Sequence, residues 1–340
     1  MAQEVKKAKK KNAQKESTKQ EESKTEKLSK VEKSTKTEKS TKTEKSIKPA
    51  ELKYGPLVSF PYQRIWSRCI LILGVLLIVM YNSRQGKEVF LAKQKDVLVS
   101  RTQNVECSVD YRDEIEKYSG CVPEKCGRIV TDKLVSTTEV DVLLKLAKNG
   151  FDLGVSNSGI SNLHLDSGTL TEDDGYINVY EHPAAKKIFN SVDLAIYRVV
   201  KSKIQHMVAH SFGIDMDKIY LTGPTFFSRG TNMFAKTVYY EYWHPYFDQE
   251  RHESFHYTSL LYLNDYSKDF EGGRFIFVDK NNVNSTIEPR KGRVLIYTSG
   301  SENLHLVEEV KSGVRYCLVV AFTCDKNAAI SDTHFGNGLI

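Results

Sequence analysis

Two periods of apolar residues divide the chain. In two stretches, 136–150 and 193–213, separated by a Gly/Ser/Asn-rich segment, the apolar positions recur at helical spacing. Ser136-Thr137-Thr138-Glu139 is a capping box, in which hydroxyl and carboxylate satisfy backbone N–H groups that a helix start leaves free. It predicts a helix with Val140, Leu143, Leu144 and Ala147 on one side, closing at Gly150. A second helix is predicted from Asp193 to Phe212, with Leu194, Ile196, Val199, Val200, Ile204, Met207 and Val208 on its apolar side and Gly213 as its stop. From Lys218 the period falls to two. Strands are predicted over Ile219–Thr222, Val238–Trp243, Tyr257–Leu263, Arg274–Val278, Arg293–Tyr297 and Val314–Phe322. Turn clusters at Asn264-Asp265, Glu271-Gly272-Gly273 and Lys291-Gly292 separate them. Short strands after two helices predict an α+β chain, a barrel or sandwich with helical support.

One stretch obeys neither period. Ile65 to Tyr81 holds an unbroken apolar run from Cys69 to Met80. That is short against the roughly 20 residues that usually span a bilayer. Trp66 and Tyr81 can sit at the two interfaces, however, and Arg68 can snorkel. The 64 residues before it are too long for the n-region of a cleavable signal, and no small-residue cleavage site follows. The polar flanks argue against a buried core helix. The reading is a transmembrane signal anchor at 65–81.

Charge supports it. Residues 1–64 carry 18 Lys and Arg against 9 Asp and Glu; the rest carries 31 against 34. The basicity belongs to one tail, and the remainder offers no nucleic-acid surface. The tail repeats Lys33-Ser34-Thr35-Lys36-Thr37-Glu38 as Lys39-Ser40-Thr41-Lys42-Thr43-Glu44. With so few apolar residues it is expected to be disordered. The positive-inside rule puts this tail in the cytosol and everything from about residue 82 in a lumen or outside the cell, a single-pass type II arrangement. The C-terminal Gly338-Leu339-Ile340 carries no retention tetrapeptide, so endoplasmic reticulum and Golgi both remain open.

Two features agree with that side. Asn284-Ser285-Thr286 is an N-glycosylation acceptor in what reads as a polar loop. Cys69 lies in the anchor, and Cys317 shares a strand face with Arg315, so Cys317 is expected buried and free. Cys107, Cys121, Cys126 and Cys324 remain as an even set for two disulfides, with three connectivities possible.

Candidate chemistry centres on Arg315. Alternation puts it on the face of Cys317, Val319 and Ala321, with no acidic residue nearby on that face. A guanidinium there is costly unless an anion meets it. A dicarboxylate ligand, gripped bidentately, would solve this, and His305 ten positions earlier could hold a metal that the same ligand chelates. The plainer alternative is an Arg that pairs with a distant Glu or emerges at the sheet rim. Asp215-Met216-Asp217 resembles the acidic pair of Golgi glycosyltransferases but reads as a solvated turn. His164-Leu165-Asp166 reads as a loop coincidence, and His252 with His256 as strand-end residues.

Thr258-Ser259-Leu260-Leu261-Tyr262-Leu263-Asn264, Glu271-Gly272-Gly273-Arg274-Phe275, Lys291-Gly292-Arg293-Val294, and His305 with Arg315 together resemble the prolyl/lysyl-hydroxylase type of 2-oxoglutarate- and iron-dependent oxygenases, over about Gly127 to Asp325. The resemblance implies a double-stranded β-helix (jelly roll) with supporting helices. It implies Fe(II), 2-oxoglutarate as cosubstrate, ascorbate, and a polypeptide side chain as substrate. Two histidines and one acid would hold the iron, leaving positions open for 2-oxoglutarate and dioxygen. His305 matches the distal histidine, Asp248 the carboxylate and Arg315 the cosubstrate anchor.

The remaining ligand departs from the pattern. The family expects His-x-Asp; here the row is Trp243-His244-Pro245-Tyr246-Phe247-Asp248, with Tyr246 in the histidine's place. In an extended strand His244 lies about 13 Å from Asp248. A turn at Pro245 would bring them near, to about 6 Å. Three outcomes stay open: His244 ligates, Tyr246 ligates as phenolate, or iron is held weakly or not at all. In the last case the protein is a lumenal binding module. The implied organisation is a disordered tail at 1–64, the anchor at 65–81, a cysteine-bearing stem at 82–130, a helical support region at 131–217, the oxygenase domain at 218–326 and a C-terminal tail at 327–340. Oligomeric state is not legible.

Overall fold

A computed structural model of the chain describes residues 61–84, 87–155, 158–172, 175–234, 242–280, 283–332 and 335. Residues 1–60 of the tail expected to be disordered, most of the strand expected at Val238–Trp243 and the end of the 327–340 segment lie outside these residues. The chain divides into two compact units, Met1–Ile72 and Leu73–Ile340.

Gln63–Arg84 is one continuous helix, α1. Its Gln63–Tyr81 stretch has a mean hydropathy of 1.9 and is long and apolar enough to cross a membrane. Ile70, Leu71, Leu76, Leu77 and Ile78 are all exposed. A helix apolar all round and uncovered by protein is matched to a lipid solvent.

The second unit is built on β1 (Lys87–Ala92), β2 (Arg101–Asn104), β3 (Gly127–Thr131), β4 (Ile160–His164), β5 (Thr169–Glu172), β6 (Gly175–Asn178), β7 (Tyr220–Gly230) and β8 (Tyr257–Tyr262). It continues with β9 (Phe270–Gly272), β10 (Phe275–Asp279), β11 (Val283–Ile287), β12 (Val294–Thr298), β13 (His305–Val307), β14 (Val310–Gly313) and β15 (Arg315–Thr323). Among the described residues, one sheet has the order β2-β3-β12-β8-β15-β7-β4-β5-β6, a second β1-β11-β10-β13, and β9 pairs with β14. From β8 the chain passes to the second sheet for β10 and β11, back for β12, across again for β13 and back for β15. That repeated crossing makes a double-stranded β-helix.

Burial explains why these segments settle as strands. Every residue of β8 is buried. Leu260 and Tyr262 pack into the core between the sheets, with Phe275, Phe277, Ile287, Leu295, Tyr297 and Val307. Leu261 and Leu263 face the other way, into a core shared with the helices. A strand covered on both faces loses its polar alternation.

The covering helices are α2 (Val109–Ile115), α3 (Thr137–Phe151), α4 (Ala185–Ile188) and α5 (Ser191–Phe212), with a short α6 (Asp248–Arg251) at the cavity. The capping box of α3 is present on both sides. Gly150 does not end that helix, which runs to Phe151. A Cβ there would stand 2.5 Å from a Leu163 methyl, so this glycine permits close packing of helix on sheet. Gly213, at φ 68°, does end α5.

Two expectations change. Asn284 lies in β11, paired with Glu88 of β1 and Val278 of β10, and not in a loop. The Ser285 and Thr286 hydroxyls donate to Asp279 and Glu88. These cross-strand partners absorb the polar side chains that suggested a loop. The segment expected as a stem supplies β1, β2 and β3 to the sheets. It is tied there by a Cys107–Cys126 disulfide, while Cys121 is bonded to Cys324 at the far end of the fold. Cys317 is buried and free.

His256 sits beside that second disulfide. Its Nδ1 accepts the Cys324 backbone N–H at 2.9 Å, and its buried Nε2 has no hydrogen-bond partner. Burial lowers its pKa from 6.5 to about 4. The unfolded chain therefore binds the proton first, so stability is complete above pH 6.5 and falls as the pH drops toward 4. The expected loss over that window is about 3 kcal/mol. The melting temperature of His256→Asn should fall less steeply between pH 6.5 and 4 than that of the wild type. Parallel slopes would remove His256 from the account.

Candidate active site

A cavity of about 950 Å³, measured to its open mouth, lies against the inner face of the barrel. Tyr246, Asp248, Arg251, Tyr297, Arg315 and Cys317 are among its lining residues. Tyr246 and His305 form an antiparallel bridge, each backbone N–H donating to the other's carbonyl at 2.9 Å. Phe247 is extended (φ −123°, ψ 150°), so Tyr246 and Asp248 project to the same side.

His305 is 1 % exposed. Its Nδ1–H donates to the Asn303 carbonyl at 2.8 Å, leaving Nε2 as the lone-pair nitrogen. That Nε2 has no hydrogen-bond partner and stands 3.8 Å from Asp248 Oδ1. Burial lowers the histidine's pKa, so the contact is that of a neutral imidazole, not an ion pair. The other carboxylate oxygen of Asp248 accepts the Tyr297 hydroxyl at 2.6 Å. Each candidate ligand is thus oriented by an outer partner, the usual construction around a bound metal.

Arg315 is 5 % exposed. Its Nε–H donates to the Gly273 carbonyl at 3.0 Å and one terminal nitrogen to Cys317 Sγ at 3.4 Å. The other terminal nitrogen has no hydrogen-bond partner, and neither does the buried Tyr262 hydroxyl. The guanidinium lies 5.4 Å from the Tyr262 ring. Among the described residues no carboxylate pairs with Arg315, which leaves a buried cation open to an anionic ligand. The Gly272-Gly273 pair permits this. Gly273 has φ 63°, and a Cβ on it would stand 2.9 Å from Arg315 Cδ.

The third ligand position fits a metal poorly. The Tyr246 ring packs 4.4 Å from the His305 ring, and the Arg251 guanidinium lies 3.8 Å from the Tyr246 ring. Burial, with Asp248 nearby, raises the Tyr246 pKa well above 10, so it is a neutral phenol. His244 is exposed and stands outside the cavity lining, because the chain is already extended at Tyr246 and the preceding turn does not carry His244 inward. No cluster of three or more His, Cys, Asp or Glu side chains among the described residues could hold a metal. Asp248 and His305 fit an iron ion on two sides; the family's full set of three protein ligands is not made.

Several lining residues escaped the sequence reading. His164 belongs to β4 and lines the cavity, stacked 5.5 Å from Phe226, despite its distance along the chain. His252 and Arg251 also line it. Tyr297 on the lining, and Tyr262 beside Arg315, were recoverable in principle: each lies two positions beyond an inward leucine on its strand.

Comparison with known proteins places this geometry. The profile of the 2OG-Fe(II) oxygenase superfamily matches residues 232–323. A Xenopus tropicalis protein described as 2-oxoglutarate and iron-dependent oxygenase domain-containing protein 3 is 46% identical over 244 residues, 71% of this chain and 76% of that protein. Human prolyl 3-hydroxylase 2 is 45% identical over 71 residues, 20% of this chain and 10% of that protein. A Trichoplax adhaerens prolyl hydroxylase, solved with a peptide fragment of hypoxia inducible factor, superposes with a TM-score of 0.41 at 15% identity, covering 59% of this chain and 85% of that one. On its identity to the Xenopus protein across three quarters of that protein's length, the chain belongs to the 2OG-Fe(II) oxygenase superfamily.

Proposed function

We propose that the chain is a membrane-anchored 2-oxoglutarate-dependent oxygenase that hydroxylates a polypeptide side chain in the lumen of the endoplasmic reticulum or Golgi. One observation carries the reading. Arg315 and Asp248 line one cavity, and with them stand buried atoms without a hydrogen-bond partner: one terminal nitrogen of Arg315 and the neighbouring Tyr262 hydroxyl, and His305 Nε2 beside Asp248. A dicarboxylate answers the first pair, one carboxylate accepting from both donors. Asp248 and His305 would hold Fe(II). When bound, iron with 2-oxoglutarate would activate dioxygen, so that one oxygen atom is inserted into a substrate C–H bond and the other enters the succinate left as 2-oxoglutarate loses carbon dioxide. The polypeptide class is supported by the similarity to prolyl 3-hydroxylase 2, and ascorbate belongs to the same proposal as a reductant. The lumenal placement is supported by the apolar helix, the Lys-rich segment before it and the two disulfides.

A second reading has its own observation. Tyr246 is a neutral phenol where a third ligand is required, and the Arg251 cation lies against it. Both features oppose a divalent cation, and with them the chain is a dicarboxylate-binding module.

The purified full-length chain, kept anaerobic and given Fe(II) and then 2-oxoglutarate, separates the two. A visible charge-transfer band means a chelated centre. Its absence, with 2-oxoglutarate still bound by calorimetry, means the binding module. Arg315→Ala is expected to weaken 2-oxoglutarate binding about 100-fold, since charge-assisted hydrogen bonds contribute roughly 1.5–3 kcal/mol each. Unchanged affinity in that variant would disprove the anchor.

A further inference from the structure

We infer that Arg128 is a positioning residue for His305, acting through the side chain of Asn303 and the turn that carries it. The inference rests on the reading of His305 as a metal ligand. Arg128 lies in β3, well before the stretch that matches the superfamily profile. It is fully buried, its guanidinium 3.8 Å from the Phe277 ring. Phe277 is the residue paired with His305 across β10 and β13.

The hydrogen bonds form one connected path. Arg128 Nε–H donates to Asn303 Oδ1 at 2.7 Å. That fixes which way the amide points, and Asn303 Nδ2 then donates to the Thr298 carbonyl at 2.7 Å and the Thr298 hydroxyl at 2.8 Å. A terminal nitrogen of Arg128 reaches the Glu302 carbonyl at 3.4 Å, on the same turn. Held from both sides, Asn303 presents its backbone carbonyl to His305 Nδ1–H. The carbonyl selects the tautomer whose Nε2 lone pair faces Asp248.

The same strand pair reaches the other candidate ligand. Arg128 is opposite Tyr297 in the β3–β12 register, and Tyr297 donates to Asp248. The rest of the guanidinium is held by Asp279, at 2.7 and 3.1 Å, and by Gln103 Oε1 at 3.3 Å. A residue needed only to neutralise Asp279 could be a lysine. Only arginine offers an Nε–H to the turn while its terminal nitrogens hold the aspartate.

The test is made on full-length protein in detergent, labelled with ¹⁵N-histidine, with the His305 signals assigned by their loss in His305→Asn. The two ring-nitrogen shifts report the tautomer without any metal. Wild-type His305 should show one tautomer, with the proton on Nδ1. Arg128→Lys keeps a cation for Asp279 and removes the Nε–H donor; it should mix the tautomers and lower Co(II) affinity about 10- to 100-fold. Asn303→Ala, with Arg128 intact, should do the same, and the double variant little more than either alone. If Arg128→Lys does not fold, Asn303→Ala decides the matter. Folded variants that keep the wild-type tautomer overturn the inference. A tautomer change in a protein that binds no Co(II) upholds the positioning role and removes the metal reading instead.

Discussion

Tyr246→His is expected to raise the affinity for Co(II) or Fe(II) by at least about 100-fold. Loss of even an outer partner of a metal ligand typically costs 10–100-fold, and this change supplies a direct ligand. The backbone is ready for it. Tyr246 is hydrogen-bonded through its main chain to His305 and shares a side with Asp248. An imidazole at 246 would complete the two-histidine, one-carboxylate set that leaves open positions on iron. The metal-free variant should lose stability, by roughly 1–3 kcal/mol, because the phenol ring now packs between His305 and Arg251. Bound metal should restore that loss, so the two effects carry opposite signs and are separable by melting with and without Co(II). Equal affinity in wild type and variant would show that the wild-type centre is complete without a third imidazole. The wild type would then be a working oxygenase site with an unusual ligand set.

Removing the Cys121–Cys324 disulfide, by changing both cysteines to alanine, is expected to cost about 5 kcal/mol. The bond closes a loop across 203 positions, and the entropy withheld from the unfolded chain grows with loop length. The Cys107–Cys126 bond spans 19 positions and should cost about 3 kcal/mol. For a unit of this size the longer loop corresponds to a drop of about 10–20 °C in Tm. The site should suffer as well. Tyr257 donates to the Cys121 carbonyl from β8, whose neighbouring residues line the cavity. Melting curves of the two double variants, recorded side by side, check the order. A larger loss for the shorter loop would mean that native packing, not chain entropy, sets these energies.

Much of this molecule was legible in the amino-acid sequence, and each legible part has a local cause. The capping box at Ser136 works within four residues. The stop at Gly213 needs only a positive φ. The apolar run before residue 82 marks its helix by composition alone. Arg315 stood out because a cation among apolar neighbours is an energetic anomaly that alternation exposes. The structure leaves it buried, with a donor to spare.

What the sequence missed depends on contacts between distant segments. Asn284-Ser285-Thr286 reads as a loop until β1 and β10 arrive to take its hydroxyls and backbone groups. Gly150 reads as a stop until Leu163 and Phe189 show what its missing side chain makes room for. His164 reads as a coincidence until β4 joins β7 and carries it to the cavity. The sequence by itself determined the family motifs, the apolar helix long enough to cross a membrane, the capped starts of the helices and the odd tyrosine at 246, because periodicity, capping and composition act over a few residues. Only the tertiary structure decided which cysteines pair, that His244 stays outside the site, and that Arg128, Tyr262 and Tyr297 stand around it, because those outcomes follow from which strands meet and which buried polar groups find a partner when they do.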